Sequence, residues 1–470
     1  MMSTILFNGR DFVGRYALLA ALGVAMTPIV AAAQVESGRQ VTFAKDIAPI
    51  LQRSCQNCHR PGGGAPMSLL GYEEARPWAR AIKLKTSNRE MPPWFIEKNV
   101  GIQHFKEDPS LTDTEIALIA RWVDTGAARG NPADMPPPIA FPATMVWTIG
   151  KPDLIVSSPE MTVKAVAPDW YAFLAPTPVG LTQDRFVKSV EVREIRVREQ
   201  EADPKDGPGP ARAAMGYSTV HHAGITTSSG RREENSVVGG ADAGGFGMTH
   251  EAGQNATIYP DELGIALRAD SSLNWRIHTH SFGKEVVVRL DVAFKFHPPG
   301  FTPKYVVKTA AIGGAGLAFH DLDIPAGDDN VRSDALGVVN VPTKLVSFEP
   351  HMHSGGKRMC VVVQYPTGAR ETLNCAAYNH NWVKVYWYED DAAPLLPAGT
   401  FVHVIGWYDN STKNPRVSDP RNWKGFGSRS IDDMMFFLGR FVPLTAEQFD
   451  QEVAAREAKE RVNKPTAQNP

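Results

Sequence analysis

Cysteine and net charge are both scarce in this 470-residue chain, which has four cysteines and a formal net charge of −2. A nearly neutral chain does not offer the basic face that nucleic-acid binding needs, so no nucleic-acid partner is expected. Beyond residue 33 the sequence has no apolar run long enough to cross a bilayer. We therefore predict no transmembrane segment in the mature chain.

Glycine and proline are abundant instead, with 40 and 36 residues respectively. Such a composition favours turns and strands over long helices. From Pro152 onward, short runs of alternating or apolar residues are separated by turn signals, as in Phe186–Arg198 and Val286–Phe296. Spacing of this kind predicts antiparallel β-sandwiches.

The first 33 residues have the features of a signal peptide. Arg10 and Arg15 supply positive charge, Tyr16–Val30 is apolar, and residues 31–33 are small alanines that suit a cleavage site. The apolar run is too short to span a bilayer comfortably. We predict cleavage near Ala33 and export to the periplasm, which is an oxidising compartment.

Two of the cysteines lie in Cys55-Gln56-Asn57-Cys58-His59, which has the C-x-x-C-H pattern of covalent haem c attachment. In this pattern the two thiols bond to the haem vinyl groups, and the histidine places its imidazole under the iron. A zinc site would need two further ligands nearby, and the sequence has no second C-x-x-C. A thioredoxin-like motif would need a βαβ setting, which is absent. The motif predicts one haem c, bound by Cys55, Cys58 and His59.

Segments on both sides of this motif make it similar to a small cytochrome c. Apolar residues recur at helical spacing in Phe43–Leu51 and in Asp113–Val123, which predicts a helix before the motif and another after it.

A cytochrome of this kind needs a second axial ligand, either methionine or histidine. We favour Met91, because Pro92 and Pro93 would stiffen the loop that presents its sulfur. Met67 and His104 are the alternatives.

The other two cysteines, Cys360 and Cys375, lie on either side of Tyr365-Pro366-Thr367-Gly368-Ala369, which has the composition of a hairpin turn. A two-residue loop at Thr367-Gly368 would place the cysteines opposite each other. Because export favours disulfides, a Cys360–Cys375 disulfide is expected, with two buried free thiols as the alternative.

Histidines occur in three pairs, and each pair is a candidate half of a metal site. The pairs are His221-His222, His278-Thr279-His280 and His351-Met352-His353. On a strand, residues i and i+2 point to the same face. Neutral imidazole suits copper, zinc, iron or nickel, so the pairs alone do not identify the metal.

The order of these pairs, followed by Asp432-Asp433-Met434, resembles the copper type II, ascorbate-dependent monooxygenases, which include the peptidylglycine α-hydroxylating and dopamine β-hydroxylating enzymes. The haem motif makes the chain more similar to bacterial proteins in which a cytochrome c domain precedes that module. The resemblance covers residues from about 40 to 447. It implies two copper ions, one in each of two β-sandwich domains.

The resemblance also implies the copper ligands. The electron-transfer copper would be held by His221, His222 and His278, and the oxygen-binding copper by His351, His353 and Met434. His280 could replace His278, and Met435 could replace Met434. A thioether favours Cu(I), the state that binds dioxygen, whereas three imidazoles accommodate both oxidation states.

The expected fold is therefore multidomain: a small all-α cytochrome c domain followed by two antiparallel β-sandwich domains. The predicted divisions are a signal peptide at 1–33, the cytochrome c domain at 40–136, a Pro-rich linker at 137–151, the first copper sandwich at 152–315, the second at 316–447, and a charged C-terminal tail at 448–470.

The expected activity is that of a copper-dependent monooxygenase. It would use dioxygen to hydroxylate a C–H bond of a small organic substrate, with His351, His353 and Met434 at the reacting copper. Electrons would arrive through the haem from a donor protein or a small reductant. The alternative is a periplasmic electron-transfer or copper-binding protein without oxygenase activity. The sequence does not indicate the substrate.

Overall fold

The structure is a computed structural model, and it describes residues 39–463 except for 62–64, 66, 142–146, 169, 200–218, 230–236, 240–246, 252–255, 282, 314–321, 381, 428 and 430. The predicted signal peptide lies outside the described residues. So do the last seven residues of the predicted C-terminal tail.

Short helices dominate the segment that carries the C-x-x-C-H motif. They are α1 (Ala48–Ser54), α2 (Tyr72–Ala75), α3 (Ala79–Ser87) and α4 (Asp113–Asp124), with one strand between them, β1 (Ile96–Gly101). Thr112 begins α4 because its hydroxyl accepts the Glu115 backbone N–H while the Glu115 side chain accepts the Thr112 backbone N–H. The helices enclose a small core that includes the buried side chains of Phe43, Leu51 and Trp122.

The middle of the chain forms two facing, mostly antiparallel sheets around one apolar core. Their strands are β2 (Leu154–Ser157), β3 (Met161–Val163), β4 (Trp170–Pro178), β5 (Arg185–Glu199), β6 (Val220–Ser228), β8 (Gly247–Glu251), β9 (Ala256–Ile258), β10 (Leu263–Leu267), β11 (Ser272–Thr279), β12 (Val286–Phe296) and β13 (Tyr305–Val306), of which β10 and β13 are parallel neighbours. The short strand β7 (Val238–Gly239) comes from the same part of the chain but pairs in a sheet of the second pair. The larger sheet has the order β13-β10-β5-β12-β2, and the smaller has the order β4-β11-β6-β8. The core between them draws residues from both sheets.

A second pair of sheets follows. Its strands are β14 (Lys308–Gly313), β16 (Val331–Val339), β17 (Thr343–Phe348), β18 (Pro350–Met352), β19 (Gly356–Gln364), β20 (Arg370–Ala377), β21 (Tyr386–Trp387), β22 (Leu395–Leu396), β23 (Phe401–Tyr408) and β25 (Met435–Pro443), together with β1 and β7. Two short strands of this region, β15 (Asp323–Ile324) and β24 (Lys424–Gly425), form a separate two-stranded sheet. One sheet has the order β1-β20-β19-β23-β16-β7, and the other has the order β14-β25-β17-β21. The chain ends in α5 (Ala446–Asn463).

The prediction of a separate small all-α cytochrome c domain is wrong. Strands hold 41% of the chain and helices 16%, and the helices before residue 125 are short and interrupted by β1. That strand pairs with β20, so the segment is built into a sheet of the second pair. Sandwich-like β-sheets are present, as expected.

An aromatic cluster fastens the helical segment to the second pair of sheets. The Trp94 ring lies 4.8 Å from the Tyr386 ring, and the buried Phe105 ring stacks on Tyr388 at 5.2 Å. Beside them, the Glu97 carboxylate receives two N–H groups from the Arg358 guanidinium, one at 2.8 Å. Packing and charge therefore both hold the chain around β1 against the second pair of sheets.

Replacing Phe105 with alanine is expected to lower the free energy of unfolding by about 3–5 kcal/mol, because it leaves a cavity among Trp94, Tyr386 and Tyr388. Urea denaturation followed by fluorescence measures this. Phe401→Ala is a matched control, because the Phe401 side chain is about half exposed, and it should lose much less. Equal losses in the two variants would show that the helical segment does not depend on this contact.

Cys360 and Cys375 form the expected disulfide. They are directly opposed in the β19–β20 hairpin, but the predicted two-residue loop is wrong. The pairing of Gln364 with Arg370 leaves five residues in the loop, and the Tyr365 backbone N–H donates to the Ala369 carbonyl at 2.9 Å. A bulge between Val361 and Val362 shifts the register by one residue, which brings the cysteines opposite each other.

Within the part of the chain that the structure describes, no helix is both long enough and apolar enough to cross a bilayer.

Candidate haem and metal centres

The C-x-x-C-H motif forms a tight turn at the end of α1. The Cys55 carbonyl accepts the backbone N–H groups of Cys58 and His59, at 3.2 and 2.9 Å. The Gln56 side chain is buried, and its amide donates to the Leu69 carbonyl at 2.9 Å. These bonds fix both thiols and the imidazole on one short loop.

The protonation of His59 is fixed by its backbone partner. Its Nδ1 lies 3.2 Å from the Met67 carbonyl oxygen, which can only accept, so Nδ1 carries the proton. The Nε2 lone pair is then available to a metal. Most metal-binding histidines likewise donate the N–H of their other ring nitrogen to a carbonyl or carboxylate oxygen. Burial also lowers the His59 pKa, which favours the neutral, metal-binding form.

The two thiols of the motif are not activated nucleophiles. Burial raises the pKa of Cys55 to about 12 and raises that of Cys58 above its usual range. Both therefore remain protonated at neutral pH, whereas redox and nucleophilic cysteines have lowered pKa values. This argues against a thioredoxin-like role.

Met91 lines an open cavity of about 130 Å³ together with Trp94, Phe105 and Ile116. Met67 is not among the lining residues, and the His104 side chain is exposed. Cys55, Cys58 and His59 are not among the residues that line this cavity, whereas Met67 packs with Cys55 against the core of the helical segment. The choice of Met91 as axial ligand therefore stays a prediction. The cavity is smaller than the roughly 300 Å³ and above of typical ligand pockets, so by itself it does not enclose a haem.

The first two histidine pairs come together across neighbouring strands. His222 on β6 and His278 on β11 are direct partners in the antiparallel register, and their ring nitrogens lie 3.3 Å apart. Both are buried. The register shifts beside this pair, so His221 is the extra residue of a β-bulge. The side chain of His221 lies outside the described residues. His280 follows the end of β11 and is half-buried.

The third pair lies on β18 and just beyond it. The buried Asp433 carboxylate accepts the backbone N–H groups of His353 and Gly355, at 3.0 and 2.9 Å. Only glycine fits at 355, since a Cβ there would lie 2.5 Å from the Asp433 carboxylate oxygen. The His353 Nδ1 lies 3.0 Å from the Arg429 carbonyl, so the Nε2 lone pair of His353, like that of His59, is available to a metal.

The register of β18 with β25 separates the two candidate methionines. Met352 pairs with Met435, and both are buried in the apolar core. Because neighbouring residues of a strand face opposite ways, Met435 lies on the face opposite to that of His351 and its partner Phe436. Met434 precedes the first residue of β25, and its assignment as a copper ligand stays a prediction.

Four of these imidazoles, those of His222, His278, His351 and His353, belong to one cluster. The His222 ring lies 6.0 Å from the His351 ring, which brings the two predicted ligand sets into contact. A fifth histidine, His380, completes the group: its ring lies 5.8 Å from His222, 5.7 Å from His278 and 5.6 Å from His353. We call His222, His278, His351, His353 and His380 the imidazole cluster.

His380 was missed at the sequence level. It lies alone between Asn379 and Asn381, in the loop from β20 to β21, and so forms no histidine pair. Nothing in the local sequence distinguishes it from a surface histidine.

The rings of the imidazole cluster pack mainly edge to face, without converging on one point. Among the described residues, no three His, Cys, Asp or Glu side chains form a ready metal site. Metal binding would therefore require the rings to turn within the cluster. The donor set itself, a group of five imidazoles, suits copper among the transition metals that bind nitrogen ligands.

Burial controls the charge of the cluster. It lowers the pKa of His353 to about 3, and that of His351, which keeps some exposed surface, to about 4. Burial has the opposite effect on the neighbouring carboxyl and raises the pKa of Asp433 to about 6. The two histidines are therefore neutral over the physiological range.

These pKa values predict that the metal-free protein loses stability in acid. Between pH 6.5 and 4.5 the unfolded chain protonates His351 and His353 while the folded chain does not, which favours unfolding as pH falls. Asp433 acts in the opposite direction, because its folded pKa is raised. The net loss should be about 3 kcal/mol, measured by urea denaturation at both pH values. His351→Gln/His353→Gln should remove it, and a loss that persists in that variant would assign it to other groups.

Comparisons with known proteins do not identify a family. No protein-family model matches the chain, and no curated protein matches it. A chain in the cryo-EM atomic structure of Broad Bean Stain Virus is similar over 62% of this chain and 90% of its own length, with 9% sequence identity and a TM-score of 0.27. That similarity is too weak to support an argument about fold or function.

Proposed function

We propose that this protein is an exported haem- and copper-dependent oxidoreductase that hydroxylates a C–H bond of a small organic substrate with dioxygen. The observation that supports this most is the imidazole cluster. Four of its five members were predicted as copper ligands from distant parts of the sequence, and they lie in contact in the fold.

The residues of the two ligand sets would have different tasks. His222 and His278, with His221, would hold the electron-transfer copper, and His351, His353 and Met434 the oxygen-binding copper. When bound, copper supplies one-electron chemistry with dioxygen, and the haem supplies the electrons. The Arg429 carbonyl keeps the proton on His353 Nδ1, and His222, His278 and His353 are buried away from water.

The haem segment would receive electrons from a donor protein or a small reductant. Cys55 and Cys58 would bond the haem, with His59 and Met91 as its axial ligands. The Cys360–Cys375 disulfide supports a location in an oxidising compartment such as the periplasm.

A second candidate is an electron-transfer or copper-binding protein without oxygenase activity. Four of the five members of the imidazole cluster, His222, His278, His353 and His380, are buried. A centre that only stores or relays electrons can be closed to substrate in this way, which favours this candidate.

Oxygen consumption separates the two candidates. Reduced, copper-loaded protein is mixed with a panel of small aromatic and aliphatic compounds under ¹⁸O₂, with the His351→Ala/His353→Ala variant as control. The monooxygenase predicts a product that carries one ¹⁸O atom, formed only by the unmodified protein. Bound haem and copper without labelled product from any compound would favour the electron-transfer candidate.

A further inference from the structure

His380 occupies the junction between the two ligand sets. Its ring is within 6 Å, centre to centre, of His222 and His278 on one side and of His353 on the other. A histidine that only filled the core would not need to contact both ligand sets.

Hydrogen bonds hold the loop that carries His380 against the third histidine pair. The Tyr378 hydroxyl donates to the carbonyl of Met352, the residue between His351 and His353. Gly356 makes room for this contact, because a Cβ there would lie 2.7 Å from the Tyr378 ring and 2.6 Å from the Met352 Cβ. The backbone N–H of Tyr378 also donates to the Lys357 carbonyl at 2.9 Å.

The same loop is short and closed on itself. The Trp382 backbone N–H donates to the Asn379 carbonyl at 2.9 Å, which forms a turn around His380. A ring held in this way is only 6% exposed. The chain thus uses a dedicated turn, anchored to β18, to bring one imidazole into the cluster.

We propose that His380 is a copper ligand, and that it joins the two predicted ligand sets into one centre. This inference rests on the proposed function. Its chemical basis is the donor set: a buried imidazole placed among four others is a nitrogen ligand for copper, and its position gives it access to a metal held by either set.

Copper binding by the full-length, haem-loaded protein tests the proposal. Copper(II) is titrated into the unmodified protein and into His380→Ala, and is followed by equilibrium metal analysis and by electron paramagnetic resonance. Loss of the ligand should weaken copper binding at least about tenfold, since removal of a group that only hydrogen-bonds to a metal ligand already costs that much. The nitrogen hyperfine pattern should also change.

His297→Asn is the matched control. His297 is buried like His380, but its ring stacks on Phe301 and its Nε2 lies 3.0 Å from the Leu263 carbonyl, away from the cluster. Its copper affinity and spectrum should remain those of the unmodified protein. A weakening of equal size in both variants would assign the effect to general destabilisation and overturn the proposal.

A His380→Gly variant keeps the test decisive if the alanine variant folds poorly. Free imidazole should fill the vacated space and restore both copper affinity and the spectrum, which a purely structural residue would not allow. Unchanged copper binding in His380→Ala would overturn this inference alone. An unmodified protein that binds no copper would overturn the proposed function as well.

Discussion

Replacing both Cys55 and Cys58 with serine is expected to abolish covalent haem attachment. Two thioether bonds are the only covalent links in the proposed attachment, and a serine hydroxyl does not replace them. Haem staining of a denaturing gel should fall to background, while the unmodified chain retains its haem.

Met91→Ala should keep the stain but change the low-spin spectrum to high-spin.

A matched control for this experiment is Cys360→Ser/Cys375→Ser, which also removes two cysteines. That variant loses the disulfide but should keep the haem stain. Haem that survives denaturation in the Cys55/Cys58 variant would contradict the proposed attachment. If the stain is lost in both variants, the loss comes from misfolding and not from the motif.

Replacing Asp433 with alanine should cause the largest loss at the histidine site. The carboxylate is fully buried and accepts backbone N–H groups from His353, Gly355 and Met434. Alanine would leave these donors without their acceptor, and a buried donor left unsatisfied typically costs about 1–3 kcal/mol. Copper binding by His351, His353 and Met434 should fall with it.

Asp432 provides the comparison, since it is the neighbouring carboxylate with a different environment. It is paired with the exposed Arg429 side chain, and exposed ion pairs contribute about 0–1 kcal/mol. Asp432→Ala should therefore lose little stability, as measured by urea denaturation. Equal losses in the two variants would show that Asp433 does not organise the loop.

The sequence predicted the strands whose pattern is strong. Val286–Phe296 was expected as a strand and is β12 with the same bounds, because a long run of β-branched and aromatic residues is typical of a buried strand. Phe186–Arg198 differs from β5 by one residue at each end.

The sequence does not predict β1. Without this strand and its pairing with β20, the helical segment is predicted as a separate domain. Ile96-Glu97-Lys98-Asn99-Val100-Gly101 has no alternating pattern, and it is polar because it lies at the edge of its sheet. Its pairing with β20 joins parts of the chain far apart in sequence. Local patterns carry no information about such contacts.

The histidine pairs can be read from the sequence, but their contact in the folded chain cannot. Resemblance to a family placed the pairs in two separate copper sites, and the fold brings His222 and His351 into contact. The bulge at His221 and the turn that carries His380 are tertiary features without a sequence signal.

The measurement that tests the account most directly is the iron and copper content of the same purified sample. Full-length protein is matured with haem, loaded with copper and dialysed to remove unbound copper. It should then contain about one iron, in covalently attached haem, and about two coppers per chain. His353→Ala should lower the copper content and leave the iron unchanged. Copper near zero in a sample that is fully loaded with haem would contradict the assignment of the imidazole cluster as a copper centre.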